Sequence, residues 1–357
     1  MKKTCVVFGG ASSEHDISII TALQLCNNVE KKFEMEKIYI GLDNKFYLAT
    51  SLKNINEFSN KGNLKLKQVY FLNGAIYKTG MFNVKICDVE CVVNCCHGGA
   101  GENGNLASFF ELQQIPYTSA NPLASKIAMD KSLAKFILKD IVPTIKGVKV
   151  TKQNYKTIVH YIKSNFSNNI IVKPNDLGSS IGVKCCNKDD FIDQINAIFE
   201  MNDDALVEER VVSLKEYNQA CFRTKKGFAL SSIEEVKTKS DFLTFEDKYY
   251  GGKTKGNDRV IPAELTPEIE EEIIKYTSKV YKKLNLNGVV RVDYIYDCKN
   301  KKLYFNEVNT VPGSMAFYLY EPIGIDYITL IDELIKNATK PQNYTYFNTE
   351  ILNDKKI

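Results

Sequence analysis

The chain has 357 residues, enough for two or three domains and a large core, and its 44% apolar and 25% charged residues describe an ordinary soluble protein. Its 47 Lys+Arg against 43 Asp+Glu leave a net charge of +4, too mild to argue for nucleic acid. No stretch approaches the ~18 apolar residues that a membrane span requires. The start, MKKTCVVFGG, reaches Glu14-His15-Asp16 too early for a signal peptide and reads as a strand. Among the ten cysteines, Cys5 and Cys91 sit in apolar runs, Cys95-Cys96 and Cys185-Cys186 are adjacent pairs, and no Cys-x-x-Cys recurs. Reduced, mostly buried thiols in a cytoplasmic protein are expected.

Residues 4–8 read as a buried strand, Gly9 to Ser13 as a tight turn, and a helix should run from near Glu14 toward Cys26. Strand, glycine turn and helix together present a helix N-terminus to an anionic ligand, although the dinucleotide fingerprint G-x-G-x-x-G is absent. Capping by Ser12 or Ser13, with Glu14 in the favourable first turn, explains much of the same stretch, and His15 alone reads as structural. Residues 37–48 look like a strand and turn, and 68–87 like a β-rich excursion. Residues 88–96 form a second apolar strand that ends at the glycine-rich loop His97–Gly104, where open α/β sheets bind ligands. A helix from Asn105 to Gln113 follows.

A single helical pattern is expected from Ser125 through Met129-Asp130-Lys131 to about Lys139, then a strand and a helix over 145–164. Residues 170–174 are a strand ending in Lys173-Pro174, followed by the small-residue loop 175–183. Its backbone N–H groups, with the hydroxyls of Ser179 and Ser180, suit phosphate; the plain alternative is a hairpin loop. It is not a Walker A sequence. Residues 189–200 read as a helix, 205–211 as a strand carrying Glu208 and Glu209, and 228–236 as a strand beyond Glu216. The polar segment 237–258 reads as a long loop of the lid type, and a helix runs from Pro267 to about Leu284.

From Gly288 to Tyr320 the pattern is an antiparallel hairpin with its turn at Asp297 to Lys302. Val289, Arg291 and Asp293 share one face, and Leu303, Phe305, Glu307 and Asn309 share one face of the second strand. Asp293, Glu307 and Asn309 should then converge beside Arg291, as either a strand pair with polar ends or a site for a hard cation. Mg²⁺ in particular takes a few carboxylates and completes its shell with substrate phosphates.

Several segments carry a resemblance: FGGASSEHDIS at 8–18, HGGAGENG at 97–104, IPYTSA at 115–120, MDKSLAK at 129–135 and VKPNDLGSSIGV at 172–183. FEDKY at 245–249, RVD at 291–293 and NEVNTVPG at 306–313 complete the series. In this order, from about residue 4 to about residue 335, the chain resembles the D-alanine–D-alanine ligase family of the ATP-grasp superfamily. The resemblance implies an α/β (α+β) fold, with an N-terminal Rossmann-like parallel-sheet domain (1–125) followed by the two-domain ATP-grasp fold. The central subdomain is expected at 126–212, the C-terminal domain with lid loop 237–258 at 213–336, and a peripheral tail at 337–357.

It further implies that ATP phosphorylates the carboxylate of one D-alanine, and that the amine of a second attacks the acylphosphate to give D-alanyl-D-alanine for peptidoglycan. Asp293, Glu307 and Asn309 match the family's Mg²⁺ ligands, two ions being expected, with Mn²⁺ able to replace them. Lys131 and Lys173 match lysines on the ATP phosphates, the Gly178–Gly182 loop with Ser179 and Ser180 covers them, and Asn306 joins the ATP site beside Glu307. Glu208, Glu209 and Val211 fall on the edge that holds adenine, and Glu216 matches the ribose-binding acid. Lys248 and Tyr249 match lid residues, tyrosine being the form associated with D-alanine rather than D-lactate as acceptor.

Glu14 matches the acid that engages the first substrate's ammonium, His97 a histidine near that substrate, and Ser179 or Ser180 the serine linked to Glu14 and Tyr249. Arg291 and the backbone of Gly313 match donors to the tetrahedral oxyanion, and such electrostatic stabilisation is commonly the largest catalytic effect. Tyr318 and Leu319 fall where the second substrate's carboxylate binds, but the family carries a serine at the position of Tyr318. Asn103 replaces an expected Asp, Ala107-Ser108 an expected Gln-Gly, and Ser213-Leu214-Lys215 the residues before the ribose acid. The acceptor side is therefore open to D-serine, D-lactate or another amino acid. A non-catalytic nucleotide-binding relative has no need for Lys131, Lys173, Arg291, Asp293, Glu307 and Asn309 together. A homodimer without nucleic-acid or membrane partners is implied.

Overall fold

Strand β1 (Lys2–Gly9) pairs in parallel on both sides, with β2 (Met35–Ile40) and with β6 (Val84–Asn94). A strand flanked in this way is covered on both faces, which is why its run from Cys5 to Phe8 is unbrokenly apolar and buried. The side-chain period of two sends Val6 and Phe8 into one core and Cys5 and Val7 into another. Antiparallel strands β3 (Phe46–Leu48), β4 (Lys67–Leu72) and β5 (Ala75–Lys78) continue from β2 round to β6 and close the sheet into a ring. The parallel character expected of this region is thus confined to β2-β1-β6. The helix His15–Val29 lays Ile19, Ala22, Leu25 and Val29 on the Val6/Phe8 side, and each large apolar side chain buried there contributes roughly 1.5–3 kcal/mol.

The structure is a computed structural model and describes residues 2–30, 32–49, 52, 55–58, 66–201, 203–237 and 259–342. Lys248 and Tyr249, with the rest of the expected lid beyond Lys237, and residues 343–357 of the tail lie outside the described residues. No described helix is long and apolar enough to cross a membrane. All ten cysteines are free, most of them buried.

The helix expected over 125–139 is two helices, Pro122–Met129 and Lys131–Leu138. Asp130 breaks the pattern: its extended backbone and its side chain, which accepts the Leu133 N–H at 2.9 Å, make it the N-cap of the second helix. Both helices pack Ala124, Ala128, Ala134 and Leu138 against Phe305 and Val308. They therefore share a core with the C-terminal sheet, and the expected boundary at 125/126 falls within the first of them.

Two antiparallel sheets follow. The first has the order β7 (Gly147–Val150), β10 (Ala205–Glu209), β8 (Asn169–Pro174), β9 (Lys184–Asn187). Helices Tyr155–Asn165 and Phe191–Glu200 cover it. The second has the order β13 (Arg259–Val260), β12 (Gly227–Val236), β11 (Leu214–Thr224), β14 (Val290–Asp297), β15 (Lys302–Asn309).

The β14–β15 hairpin pairs Arg291 with Asn309 and Asp293 with Glu307, but Tyr294 with Phe305. Asn306 is the extra residue of a β-bulge, so the face shared by Leu303 and Phe305 does not continue to Glu307 as strict alternation requires. Leu303, Phe305 and Val308 stay in the core, while the bulge turns Asn306 and Glu307 to the other side together.

Beyond the helix Tyr327–Lys336 the chain is not peripheral at first. Thr339 and Tyr117 exchange backbone hydrogen bonds of 2.8 and 3.0 Å, and the Thr339 hydroxyl donates to the Ser119 carbonyl at 2.7 Å. This bridge gives partners to backbone groups that would otherwise be orphaned.

Candidate active site

The ring and the two sheets face one another across a cleft of about 530 Å³. From the ring side comes Glu14, just before the first helix. Ser12 Oγ accepts the Glu14 N–H (3.2 Å) and donates to the His97 carbonyl (2.7 Å), which ties the two glycine-bearing loops together. A Cβ on Gly98 would stand 2.7 Å from Glu14 Oε2, and one on Gly178 3.2 Å from it, so both glycines make room for this carboxylate. The Ser179 hydroxyl donates to Glu14 from the far wall. Both Ser179 and Ser180 adopt left-handed backbone (φ 56° and 58°), a conformation that costs a non-glycine residue energy and recurs at functional sites. His15 is structural, with Nδ1 at 2.7 Å from the Gly10 carbonyl and Nε2 at 3.1 Å from the Tyr39 hydroxyl.

His97 lines the cleft, but both of its ring nitrogens are engaged. Nδ1 lies 2.7 Å from the Val311 carbonyl, which can only accept, so Nδ1 carries the proton. Nε2 then accepts the Thr21 hydroxyl hydrogen at 2.7 Å, and Thr21 in turn accepts the Ser314 N–H at 3.1 Å. Burial lowers the imidazole's pKa, so the ring stays neutral. The relay holds the turn after β15, in which Ser314, Met315 and Ala316 all have positive φ.

Glu102, four residues on from Gly98, accepts the Gly98 N–H (2.8 Å) on one oxygen and the Val311 N–H (3.0 Å) on the other. Burial, and then the charge of Glu14, push its carboxyl up to about 7. It clamps the ring loop to the C-terminal sheet.

On the C-terminal side Arg291 donates to both oxygens of Asp293 at 2.7 Å, and Asn309 Nδ2 donates to the same carboxylate at 3.0 Å. Burial opposes the guanidinium's charge, but Asp293 outweighs it and raises its pKa. Lys131 bonds the Leu177 carbonyl at 2.5 Å and stands 3.6 Å from Glu307. Lys173 pairs with Glu208 at 2.7 Å and donates to Asn306 Oδ1 at 3.2 Å. Glu208 is also paired with Lys135. Burial pushes the Glu208 carboxyl up, yet the two lysines hold it at about 2, while burial brings Lys135 down to about 8 against the pull of Glu208.

Among the described residues no three His, Cys, Asp or Glu side chains are grouped to hold a metal. The candidate donors are two carboxylates, Asp293 and Glu307, and the amide oxygen of Asn309. They lie on facing positions of one hairpin, in the cleft, with Arg291 and Lys131 balancing the charge. That set of hard oxygens, incomplete without ligands from a substrate, fits Mg²⁺.

Glu14, His97, Lys131, Lys173, Ser179, Ser180, Glu216, Arg291, Asp293, Asn306, Glu307, Asn309, Gly313 and Tyr318 all line this cleft. Others do not. The Glu208 carboxylate is buried between lysines behind the wall, and that of Glu209 turns to Ser167 and Lys146. Val211 lies past the end of β10 and away from the lining. The Leu319 side chain is wholly buried in the apolar core under the first helix, where its hydrophobicity outweighs any role in the cleft. Glu102, Lys135, Glu234 and Arg259 are part of the constellation or support it, although none was given a role from the sequence. Glu102 and Lys135 do lie within the segments HGGAGENG and MDKSLAK, a signal that could have been read, whereas Glu234 and Arg259 fall in no such segment.

The geometry is matched by comparisons with known proteins. The models for the D-ala D-ala ligase N-terminus and C-terminus match residues 3–120 and 141–336. The D-alanine--D-alanine ligase of Helicobacter pylori (strain P12) is 31% identical over 99% of both chains. The structure resembles the VanG D-Ala:D-Ser ligase of Enterococcus faecalis, with TM-score 0.81 and 26% identity over 94% of this chain and 98% of that one. It also resembles the D-alanine--D-alanine ligase of Bacillus anthracis complexed with ATP, with TM-score 0.67 and 25% identity over 94% and 96% of the two chains. With both halves matched and a relative alike from end to end, the chain belongs to the D-alanine–D-alanine ligase family.

Proposed function

We propose that this cleft joins two D-alanine molecules at the expense of ATP, making D-alanyl-D-alanine for peptidoglycan. The observation that carries the reading is the cleft's division of charge. A carboxylate, Glu14, is held by Ser179 at one wall, and lysines with the Asp293/Glu307/Asn309 hairpin stand at the other.

In this reading Lys131 and Lys173 take the ATP phosphates, the backbone and hydroxyls of the 178–182 loop cover them, and Glu216 takes the ribose. Adenine meets the backbone near Glu208 to Val211, since the two glutamate side chains are committed elsewhere. Asp293, Glu307 and Asn309 would hold Mg²⁺, two ions in the family pattern, which supplies charge neutralisation for the transferring phosphoryl group. Glu14 receives the ammonium of the first D-alanine, and Ser179 fixes the orientation of that carboxylate. A carboxylate oxygen of this substrate attacks the γ-phosphorus, ADP leaves, and an acylphosphate forms. The amine of the second D-alanine then attacks the acyl carbon. Arg291 has N–H donors beyond those given to Asp293, and these with the Gly313 N–H meet the oxyanion before it collapses to dipeptide and phosphate. His97, neutral and fully bonded, positions the turn that carries Gly313 rather than touching substrate.

A second reading changes only the acceptor. The observation in its favour is Tyr318, whose phenol reaches toward Glu234 at 3.5 Å and fills space where the family has a serine. Phosphate release with Mg²⁺, ATP and D-alanine alone, then with D-serine, D-lactate and other acceptors, separates the two. Turnover on D-alanine alone, yielding the dipeptide, is expected; turnover only with another acceptor would replace the first reading by the second. The proposal carries with it a cytoplasmic homodimer, and sedimentation of the purified chain tests the assembly state.

A further inference from the structure

In the wall of the same cleft, Glu234 of β12 is 1% exposed, and its Oε1 has no hydrogen-bond partner. Its other oxygen accepts from Asn218 Nδ2 at 3.1 Å. Arg259 of β13 stands with Nε 3.4 Å from that orphaned Oε1 and its guanidinium 5.1 Å from the centre of the Tyr318 ring. A guanidinium stacked on an aromatic face and leaning on a buried carboxylate is oriented while its remaining donors stay open. The other cations of the cleft already have anions to serve in this reading: Arg291 gives two donors to Asp293 and its others to the oxyanion, while Lys173 and Lys131, beside Glu208 and Glu307, turn to the ATP phosphates. Arg259 is 46% exposed and lines the same cleft as Arg291 and Ser314. An amino-acid acceptor brings its own carboxylate into a site that already holds Asp293, Glu307, Glu102 and Glu14, so it needs a cation that is not already spent.

We propose that Arg259, oriented by Glu234 and the Tyr318 ring, binds the carboxylate of the acceptor amino acid in place of the serine this chain lacks. The inference rests on the ligase reading above and names one specificity-determining residue within it.

D-alaninamide provides the test, because it has no carboxylate to be phosphorylated and can serve only as acceptor. The full-length protein is assayed with Mg²⁺, ATP and D-alanine as donor, and acceptor KM is compared for D-alanine and D-alaninamide. Arg259→Gln should raise the KM for acceptor D-alanine about 10- to 100-fold, the worth of a charge-assisted hydrogen bond, with the KM values for D-alaninamide and ATP nearly unchanged. Arg259→Lys, which keeps the charge but loses the fork, should fall between. Equal losses on acid and amide acceptors, or no loss on either, would overturn the proposal. A wild type that cannot join two D-alanines would instead strike the function reading. The same acid-against-amide comparison on whichever acceptor is used still decides Arg259, and silence with every acceptor overturns both.

Discussion

Ser179 gives its hydroxyl hydrogen to Glu14, so the loop after β8 and the helix after β1 meet through this polar contact in the cleft. The bond orients the carboxylate proposed to receive the substrate ammonium, and Ser179 holds it from a left-handed backbone at φ 56°. Ser179→Ala should raise the KM for the first D-alanine about 10-fold through loss of one charged hydrogen bond. Ser179→Gly should do the same while relaxing the backbone, so its melting temperature should not fall with its activity. Steady-state kinetics beside thermal unfolding read the two effects apart, and a glycine variant with wild-type KM would remove Ser179 from substrate binding.

Glu307 shares with Asp293 the facing positions of the β14–β15 hairpin. Glu307→Gln keeps the shape and removes one of the two carboxylate charges offered to Mg²⁺. Turnover should fall about 100-fold, and the Mg²⁺ concentration for half-maximal rate should rise. Calorimetric titration with Mg²⁺ and a non-hydrolysable ATP analogue supplies a readout apart from turnover. Unaltered metal dependence in both would clear Glu307 of the role.

The hairpin that carries these proposed ligands was legible because alternation is a strong constraint: Arg291, Asp293, Glu307 and Asn309 could be set in one cluster from spacing alone. The bulge at Asn306 was not legible, since a single inserted residue leaves no compositional mark, yet it is what brings Asn306 round beside Glu307. The break at Asp130 was hidden by the opposite problem, an apolar period that runs on through a residue acting as a cap. Glu208 was read as an adenine contact. Its strand was correctly found, but a strand does not reveal that Lys135 and Lys173 converge on its carboxylate from other elements. Arg259 follows a long polar segment and becomes meaningful only when β13 is laid beside β12.

Thr21 stands between His97 Nε2 and the Ser314 N–H, at 2.7 and 3.1 Å, and is 1% exposed. Thr21→Val keeps the shape and strips both partners of their bond. Buried groups left without partners cost about 1–3 kcal/mol each, so the variant should lose roughly 2–6 kcal/mol of stability. It should also lose activity, because the turn carrying Gly313 is freed. Urea unfolding measures the first and phosphate release the second. A stable variant of normal activity would mean that the relay is idle.

Glu208 sets the last expectation, through its linkage to pH. Its carboxyl is near 2 in the folded chain and near 4.5 when unpaired, because Lys135 and Lys173 more than offset its burial. A depressed carboxyl pKa adds stability that is complete above about 4.5 and is lost as the pH falls toward 2. Glu208→Gln should remove that component, so its unfolding free energy should fall less steeply than the wild type's across this window. At neutral pH the same variant should be less stable by about 3–5 kcal/mol, since two buried lysines then face no carboxylate. Urea midpoints at stepped pH values give both numbers. Parallel slopes for the two proteins would mean that Glu208 does not titrate as a buried ion-paired carboxylate, and the lysine wall behind the ATP site would need another counter-charge.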